Sequence, residues 1–458
     1  MASFEYDLGI LGGGAAGLTM ASGAAQLGAK TILIEREPQL GGDCLHFGCV
    51  PSKTLIKSAR VYHQCKQAQL YGLPAMTPPP VDFASVAARI REVIAAIQAH
   101  DSVERFCGLG ARVEFGQARF VDEHCVDLEG RRIAAKYWLI ATGSRPAAPP
   151  LPGLESTPYL TNKQIFSLER LPESLLILGA GPIAIEMAQA FQRLGSQVTM
   201  VQRSGQILSN EDPDLAGQVM DMLSQEGVRF HLNAKVRAAR DLGAGRELAI
   251  TDDQGREQRL SAQELLVALG RAPNLEDLNL AAAGVEFDAK GLKLDQRLRT
   301  SQRHIFGAGD VTGTFQFTHA AGYEAGVALT NAVLRLPRKV DYTRMPWCTY
   351  CDPELASIGL NEKLARAAGV EYQVWSEDFS ANDRALAEGR ARGRIKLLVD
   401  RQERPLGVQI LGPSAGELLG EWVAVLGGKV RLSTLAGAVH PYPTLGEINK
   451  RLAGNLLA

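Results

Sequence analysis

Two cysteines, Cys44 and Cys49, stand five positions apart in the segment GGDCLHFGCVPSK, residues 41–53, with Pro51, Ser52 and Lys53 directly behind them. Thiols this close can close a small disulfide ring and reopen it, provided that a donor nearby supplies electrons. The reactive form is the thiolate, which a helix N-terminus or a neighbouring cation favours by lowering the cysteine pKa from about 8.5. A site for such a donor is legible just upstream. An apolar run ending at Leu11 leads into Gly12-x-Gly14-x-x-Gly17, then an Ala-rich helical stretch to about Leu27, then an apolar strand Thr31–Ile34 that ends in Glu35. That spacing suits an ADP moiety. The first glycine allows the tight turn, the second lets backbone approach a pyrophosphate, the third packs helix on strand, and the acid takes the ribose hydroxyls.

The elements that would position these groups repeat along the chain. LLILGAGPIA, residues 175–184, gives a second loop, Gly179-x-Gly181-x-x-Ala184, followed by a helix to about Leu194 and a strand Val198–Val201. A further internal echo joins WLIATGSRP (138–146) to LVALGRAP (266–273): an apolar strand, a small residue, glycine and a closing proline. Each marks the chain leaving a nucleotide-binding unit. HIFGAGDVTG (304–313) is a strand running into Gly307-x-Gly309-Asp310. Pro78–Pro80 and Pro146–Pro152 are read as loops. Between them Val86, Ile90, Val93, Ile94 and Ile97 share one helical face, expected as core packing. Strand-like runs at Gly393–Val399 and Leu406–Leu411 precede a closing helix.

The chain has 458 residues, more than one core usually supports, so two to four domains are expected. Its composition, 46% hydrophobic and 22% charged, is that of an ordinary globular protein. A net charge of −1 without a Lys/Arg run gives no electrostatic support for a nucleic-acid or anionic-membrane partner. No apolar stretch reaches the roughly 18 residues of a membrane span. The N-terminus enters a strand at once, without a basic and apolar leader. Seven scattered cysteines do not form a secreted disulfide framework. A cytoplasmic enzyme is expected.

The glycines, both cysteines, the Pro-Ser and the lysine of residues 41–53 resemble the redox-active segment of the flavoprotein disulfide reductases, the family of lipoamide dehydrogenase, glutathione reductase and mercuric reductase. The motifs follow that family's order over essentially the whole chain. The resemblance implies an α/β fold with two Rossmann-like dinucleotide-binding domains, for FAD and NAD(P), plus a C-terminal α+β interface domain that dimerises. The implied boundaries are 1–150 (FAD domain, first part), 151–275 (NAD(P) domain), 276–340 (return to the FAD domain) and 341–458 (interface). FAD is expected on Gly12, Gly14, Gly17 and Glu35 of the first loop unit. Gly42, Lys53, Ala118, Thr142, Gly143, Gly309, Asp310 and Ala320 complete its expected site. The nicotinamide dinucleotide is expected on Gly179, Gly181, Ala184, Gln202, Arg203 and Gly270. In the family scheme hydride passes to the flavin and electrons pass on to Cys49, while Cys44 is the interchange thiol that meets the acceptor. Lys53 is carried over as the lysine beside the flavin and Glu186 as its partner on the nicotinamide side. The implied assembly is a homodimer whose active site is shared between subunits.

Two departures refine this. An NAD-selective site would carry an acid where Gln202 stands, to bind the ribose 2′-hydroxyl. Here Arg203 follows, suited to a 2′-phosphate, so NADPH is favoured, with NADH possible because Ser209 stands where a second basic residue often follows. The C-terminal segment reads His440-Pro-Tyr442-Pro443-Thr444-Leu-Gly-Glu447. Aligned on the family's His-Pro-Thr-x-x-Glu, Glu447 matches and Tyr442 takes the place of the catalytic histidine. A phenol with a pKa near 10 is a poor proton shuttle at neutral pH. Mercuric reductases resemble this chain in that Pro-Tyr, and also in the strand end at Gln202-Arg203 and in Asn210-Glu-Asp-Pro213. Capture of a soft metal ion by thiolates needs no acid. The expected acceptor is therefore Hg(II), another soft ion or a small electrophilic oxidant, and no resident metal site is expected. The alternatives are a dihydrolipoamide dehydrogenase or other organic disulfide reductase using His440 or water as acid, or a catalytically retired flavoprotein acting as a binding subunit. Mercuric reductases end in a vicinal cysteine pair that this chain lacks. Cys348 and Cys351, if on an extended strand, lie about 10 Å apart, beyond the roughly 7 Å a disulfide tolerates, and are read as structural. Cys65, Cys107 and Cys125 are read as isolated small hydrophobes.

Overall fold

The computed structural model describes residues 4–455, which fold as two compact units. The first is built from the N-terminus to Thr54, Ala88–Ala147 and Gly270–Asp341. Its central strand, Tyr6–Leu11, pairs in parallel with Thr31–Glu35 on one side and with Arg131–Ile140 on the other. Ala111–Phe115 extends the sheet past Thr31–Glu35, and Ile305–Gly307 pairs in parallel with Arg131–Ile140. Strands covered on both faces read as continuous apolar runs instead of alternating ones. This accounts for the unbroken burial of Thr31–Glu35, where every residue is buried. An antiparallel hairpin, Ala118–Phe120 with Cys125–Leu128, completes the far edge. The two echo segments meet here: Ser144–Pro146 pairs antiparallel with Arg271–Pro273, so Pro146 closes a strand and is not loop.

The second unit comprises Leu55–Ala87, Ala148–Leu269 and the chain from Tyr342 onward. A parallel sheet runs in the order Arg229–His231, Gln197–Val201, Ser174–Leu178, Glu264–Val267. Helix Pro182–Leu194 connects its two middle strands. Beyond Tyr342 a five-stranded antiparallel sheet is covered by helix Ala415–Gly428, whose Trp422 is fully buried.

Two expectations need correction. The apolar face of residues 86–97 lies on helix Phe83–Gln98, but only Ile90 of the five is fully buried. Phe83 and Ala87 carry the rest of that helix's burial, so the stripe is a half-exposed flank and not core. Cys348 and Cys351 do not share a strand either. Pro346–Thr349 ends first, and the chain bends so that Cys351 is buried with its thiol donating to the Pro353 carbonyl at 3.1 Å. Burial pushes that thiol above its ordinary value, which keeps it protonated and inert.

Within the second unit a part-buried ion network, centred on the buried Arg193, ties helix Pro182–Leu194 to the bend. Arg193 holds Glu226 at 2.7 Å and Asp352 at 2.9 Å, and Arg390 reaches Asp352 at 2.8 Å. Against the opposing effect of burial, the guanidiniums of Arg60, Arg193 and Arg390 hold the Asp352 carboxyl down, from 3.8 to about 2. At 1.36 kcal/mol per unit this is worth about 2 kcal/mol. Because the folded value is depressed, that stability is fully present above pH 4 and drains as pH falls towards 2. Asp352→Asn should therefore cost about 3 kcal/mol at pH 7, the scale of a broken buried pair. It should also flatten the loss of stability between pH 4 and 2. Urea melts across that range test it, and an unchanged slope would remove Asp352 from the acid response.

Candidate functional site

Cys44 lies in a short helix, Gly42–His46, and Cys49 opens the long helix Cys49–Lys66. The backbone ahead of them can only be glycine. Gly41 and Gly42 have φ of +113° and +61°, and a Cβ on Gly42 would stand 2.7 Å from Gly14 Cα. Gly42 thus brings the cysteine segment against the first glycine loop. In that loop a Cβ on Gly17 would come within 1.8 Å of the Gly12 carbonyl, so the helix Ala15–Gln26 starts tight against the turn. Gly14 is the open position: its Cβ would meet nothing nearer than Gly42 Cα at 3.7 Å. Gly181 in the second loop has nothing within 4 Å. Both loops therefore present bare backbone at a helix N-terminus, the cradle that a pyrophosphate needs.

The two sulfurs interact. A hydrogen bond with Cys49, and then burial, push the Cys44 thiol above its ordinary value. Cys49 is exposed and Cys44 half-buried in the single chain, so accessibility by itself does not mark Cys44 as the outer thiol. Thr318 Oγ1 lies 3.5 Å from Cys49 Sγ, at the start of helix Thr318–Ala332. Lys53 sits one turn beyond Cys49, where its ammonium donates to Ser52 Oγ at 3.3 Å. Glu35 is buried, accepting from the amides of Gly13 at 2.5 Å and Glu37 at 2.8 Å.

Asp310, behind the loop, accepts from Ser144 Oγ. Burial raises its carboxyl above the usual range. Arg271 bridges it to the cysteine segment, lying 3.5 Å from Asp310 and 3.1 Å from Asp43. Gly309 takes φ +80°, and its amide is held by the fully buried Glu324 at 2.7 Å. Its Cβ would lie 3.5 Å from Ala16, at the start of the loop helix. Thr142 donates to the Asn274 carbonyl at 2.7 Å, and Gly143 takes φ +69°. Ala320 is buried in helix Thr318–Ala332 and Ala118 in the outer hairpin. Gly270 takes φ +117° and accepts from the Ala147 amide at 3.0 Å. Ser144, Arg271 and Thr318 were missed in the sequence. The arginine within two residues of each echo's glycine, Arg145 and Arg271, was an available signal, whereas nothing marked Thr318.

In the second unit Gly179 takes φ +115°, and Ala184 is fully buried against the sheet. Gln202 does not face outward as an acceptor; its amide donates to Ser204 Oγ at 2.8 Å. Arg203 is exposed. Glu186, buried, accepts from the Tyr350 amide at 3.0 Å. The carboxylates of Asp212, Asp214 and Glu362 come close enough to hold a cation, but Lys396 Nζ fills that position at 2.9, 3.1 and 2.7 Å. Near the C-terminus Tyr442 is 70% exposed and donates to Asp383 Oδ2 at 2.9 Å. That carboxylate raises the phenol above its ordinary value. Glu447 is turned away to accept from the Thr444 amide at 3.2 Å. His440 pairs through Nε2 with Glu421 at 2.9 Å, and its Nδ1 lies 3.4 Å from the Ala438 carbonyl.

The sequence profile of the pyridine nucleotide-disulphide oxidoreductases matches residues 6–325, and that of their dimerisation domain matches 345–453. The chain belongs to this family. Pyridine nucleotide-disulphide oxidoreductases are FAD-dependent enzymes with a redox-active disulfide that use NAD(P)H, and the two dinucleotide-binding domains plus dimerisation domain are their architecture. The chain is similar to the mercuric reductase of Bacillus cereus, with 33% identity over 97% of this chain and 70% of that one. It is equally similar to a dihydrolipoyl dehydrogenase of Bacillus subtilis, with 34% identity over 96% of each. Among solved structures it resembles the Cu(II) complex of the HOCl-induced flavoprotein disulfide reductase RclA from Escherichia coli. There the TM-score is 0.88 and the identity 27%, over 99% of this chain and 100% of that one. No helix among the described residues is long and apolar enough to cross a membrane.

Proposed function

We propose that this family member is an NADPH-dependent reductase that passes electrons through Cys44 and Cys49 to a soft metal ion such as Hg(II), or to a small electrophilic oxidant. The observation that carries the reading is Tyr442, tied through its phenol to Asp383 at 2.9 Å while Glu447 faces the Thr444 amide. A phenol held in this way is not a proton donor matched to a departing thiol. Metal capture by two thiolates does not require one. The likeness to a mercuric reductase and to a protein solved as a Cu(II) complex supports the same class of acceptor.

The glycine cradle of Gly12, Gly14 and Gly17, with Asp310 and Lys53, would hold FAD. The cradle of Gly179 and Gly181, with Arg203, would hold NADPH. Bound FAD supplies a two-electron relay between the nicotinamide and the dithiol. The chain's own part is to hold the two sulfurs together, with the Thr318 hydroxyl against Cys49. For Hg(II) the balance is one NADPH and one Hg(II) giving NADP⁺, Hg(0) and a proton. The working form is read as a homodimer with a site shared across its interface, with domain limits near residues 150, 275 and 340.

The rival, an organic disulfide reductase, draws on the His440–Glu421 pair and on the dihydrolipoyl dehydrogenase likeness. His440 has both ring nitrogens engaged, and Glu421 also accepts from Asn449 at 2.9 Å, so the pair is built as a helix tie. Oxidation of NADPH by a panel of Hg(II), Cu(II), lipoamide and glutathione disulfide separates the two. The metal ions should be reduced faster than either disulfide, and the reverse order would replace this reading by its rival.

A further inference from the structure

The loop after strand Gln197–Val201 leads from Arg203 to Asp212, and it is clamped along its far half by residues 361–363. Asn361 Nδ2 donates to the Asn210 carbonyl at 2.7 Å, and the Glu362 and Lys363 amides donate to Asp212 at 3.3 and 3.0 Å. The clamp fixes where the Lys363 side chain goes. Its ammonium donates to the Ser209 carbonyl at 2.5 Å. One residue earlier, the Leu208 amide is bonded to the Ala180 carbonyl at 2.9 Å, inside the Gly179–Gly181 phosphate loop. An exposed lysine head is thus held at the rim of the nucleotide cradle, at the position where the sequence has serine instead of a base.

Charge makes the placement significant. Among the described residues no carboxylate pairs with Lys363 or with Arg203. The acids at the clamp are engaged elsewhere: Asp212, Asp214 and Glu362 pair with Lys396, and the buried Glu211 accepts from Trp347, Ser357 and Gln409. The loop between the two cations is also ordered from within. Gln202 donates to Ser204 Oγ at 2.8 Å, and Gln206 donates to the carbonyls of Leu208 and Glu211 at 3.4 and 3.0 Å. Two cations, Arg203 on this ordered loop and Lys363 held against it from helix Glu362–Ala367, flank a strand end that lacks the acid and form a seat for an anion.

We infer that Lys363, brought from the C-terminal domain, is the second cation for the ribose 2′-phosphate of NADPH and so a determinant of dinucleotide choice. This rests on the NADPH reading above. The holoenzyme and its Lys363→Met and Arg203→Met variants are assayed with NADPH and NADH, and with 2′-AMP and 5′-AMP as competing probes. Loss of a charge-assisted phosphate contact should weaken 2′-AMP and raise the NADPH KM about tenfold in Lys363→Met. NADH and 5′-AMP should stay within about twofold, and Lys363→Arg should restore the wild-type values. If Arg203→Met shifts the NADPH-to-NADH ratio and Lys363→Met does not, the assignment of Lys363 is wrong while the NADPH reading stands. If neither variant shifts it, the NADPH reading itself fails. Equal weakening of 2′-AMP and 5′-AMP by Lys363→Met would place the lysine on a phosphate common to both cofactors and overturn the inference.

Discussion

Replacing Cys44 or Cys49 with serine should cut acceptor reduction by about 10³-fold or more, and the double replacement should be no worse than either single one. Groups that act as a unit lose nearly everything at the first deletion. The geometry makes these two sulfurs a unit: each lies in hydrogen-bonding reach of the other. Bound flavin and thermal stability should change little, because the backbone there is set by Gly41 and Gly42 and not by the thiols. The two variants should differ in colour. A long-wavelength absorbance band from a thiolate against oxidised flavin should persist in Cys44→Ser and vanish in Cys49→Ser. The reverse pattern would exchange the inner and outer assignments, and a full rate in either variant would remove the pair from the electron path.

The parts of the site legible in the sequence are those whose chemistry fixes a spacing. A phosphate cradle needs bare backbone at set intervals, so Gly12, Gly14 and Gly17 could be read directly. The close approach of Gly42 to Gly14 emerges only in the fold. What escaped notice arrives from far along the chain through pairing that no local pattern reports. Arg271 reaches Asp43 and Asp310 only because Arg271–Pro273 pairs with Ser144–Pro146. Thr318 reaches Cys49 only because Ile305–Gly307 returns to the first sheet ahead of its helix. The apolar stripe of residues 86–97 failed in the opposite sense. Periodicity reports that a helix has an apolar face but not how much of it is covered, and here only Ile90 is fully buried.

Tyr442→His should raise turnover of lipoamide or glutathione disulfide about 10²-fold, from a low wild-type rate. Reducing a linear disulfide expels a thiolate, and a positioned acid matched to the working pH contributes roughly 10²–10⁴-fold to such a step. At the place of that acid the wild-type chain holds a phenol raised above its ordinary value by the Asp383 carboxylate, so at neutral pH its proton stays on the oxygen. An imidazole there titrates near neutrality, and Asp383 offers a carboxylate to orient it. Adding Asp383→Asn should therefore take back much of the gain without affecting metal-ion reduction. Reduction of Hg(II) should rise little in Tyr442→His, because thiolate capture has no leaving thiol to protonate. The wild-type rate decides between the readings most sharply. If the unmodified protein already reduces glutathione disulfide or lipoamide as fast as Tyr442→His does, the step has its acid elsewhere. His440, released from Glu421, then becomes the residue to mutate next.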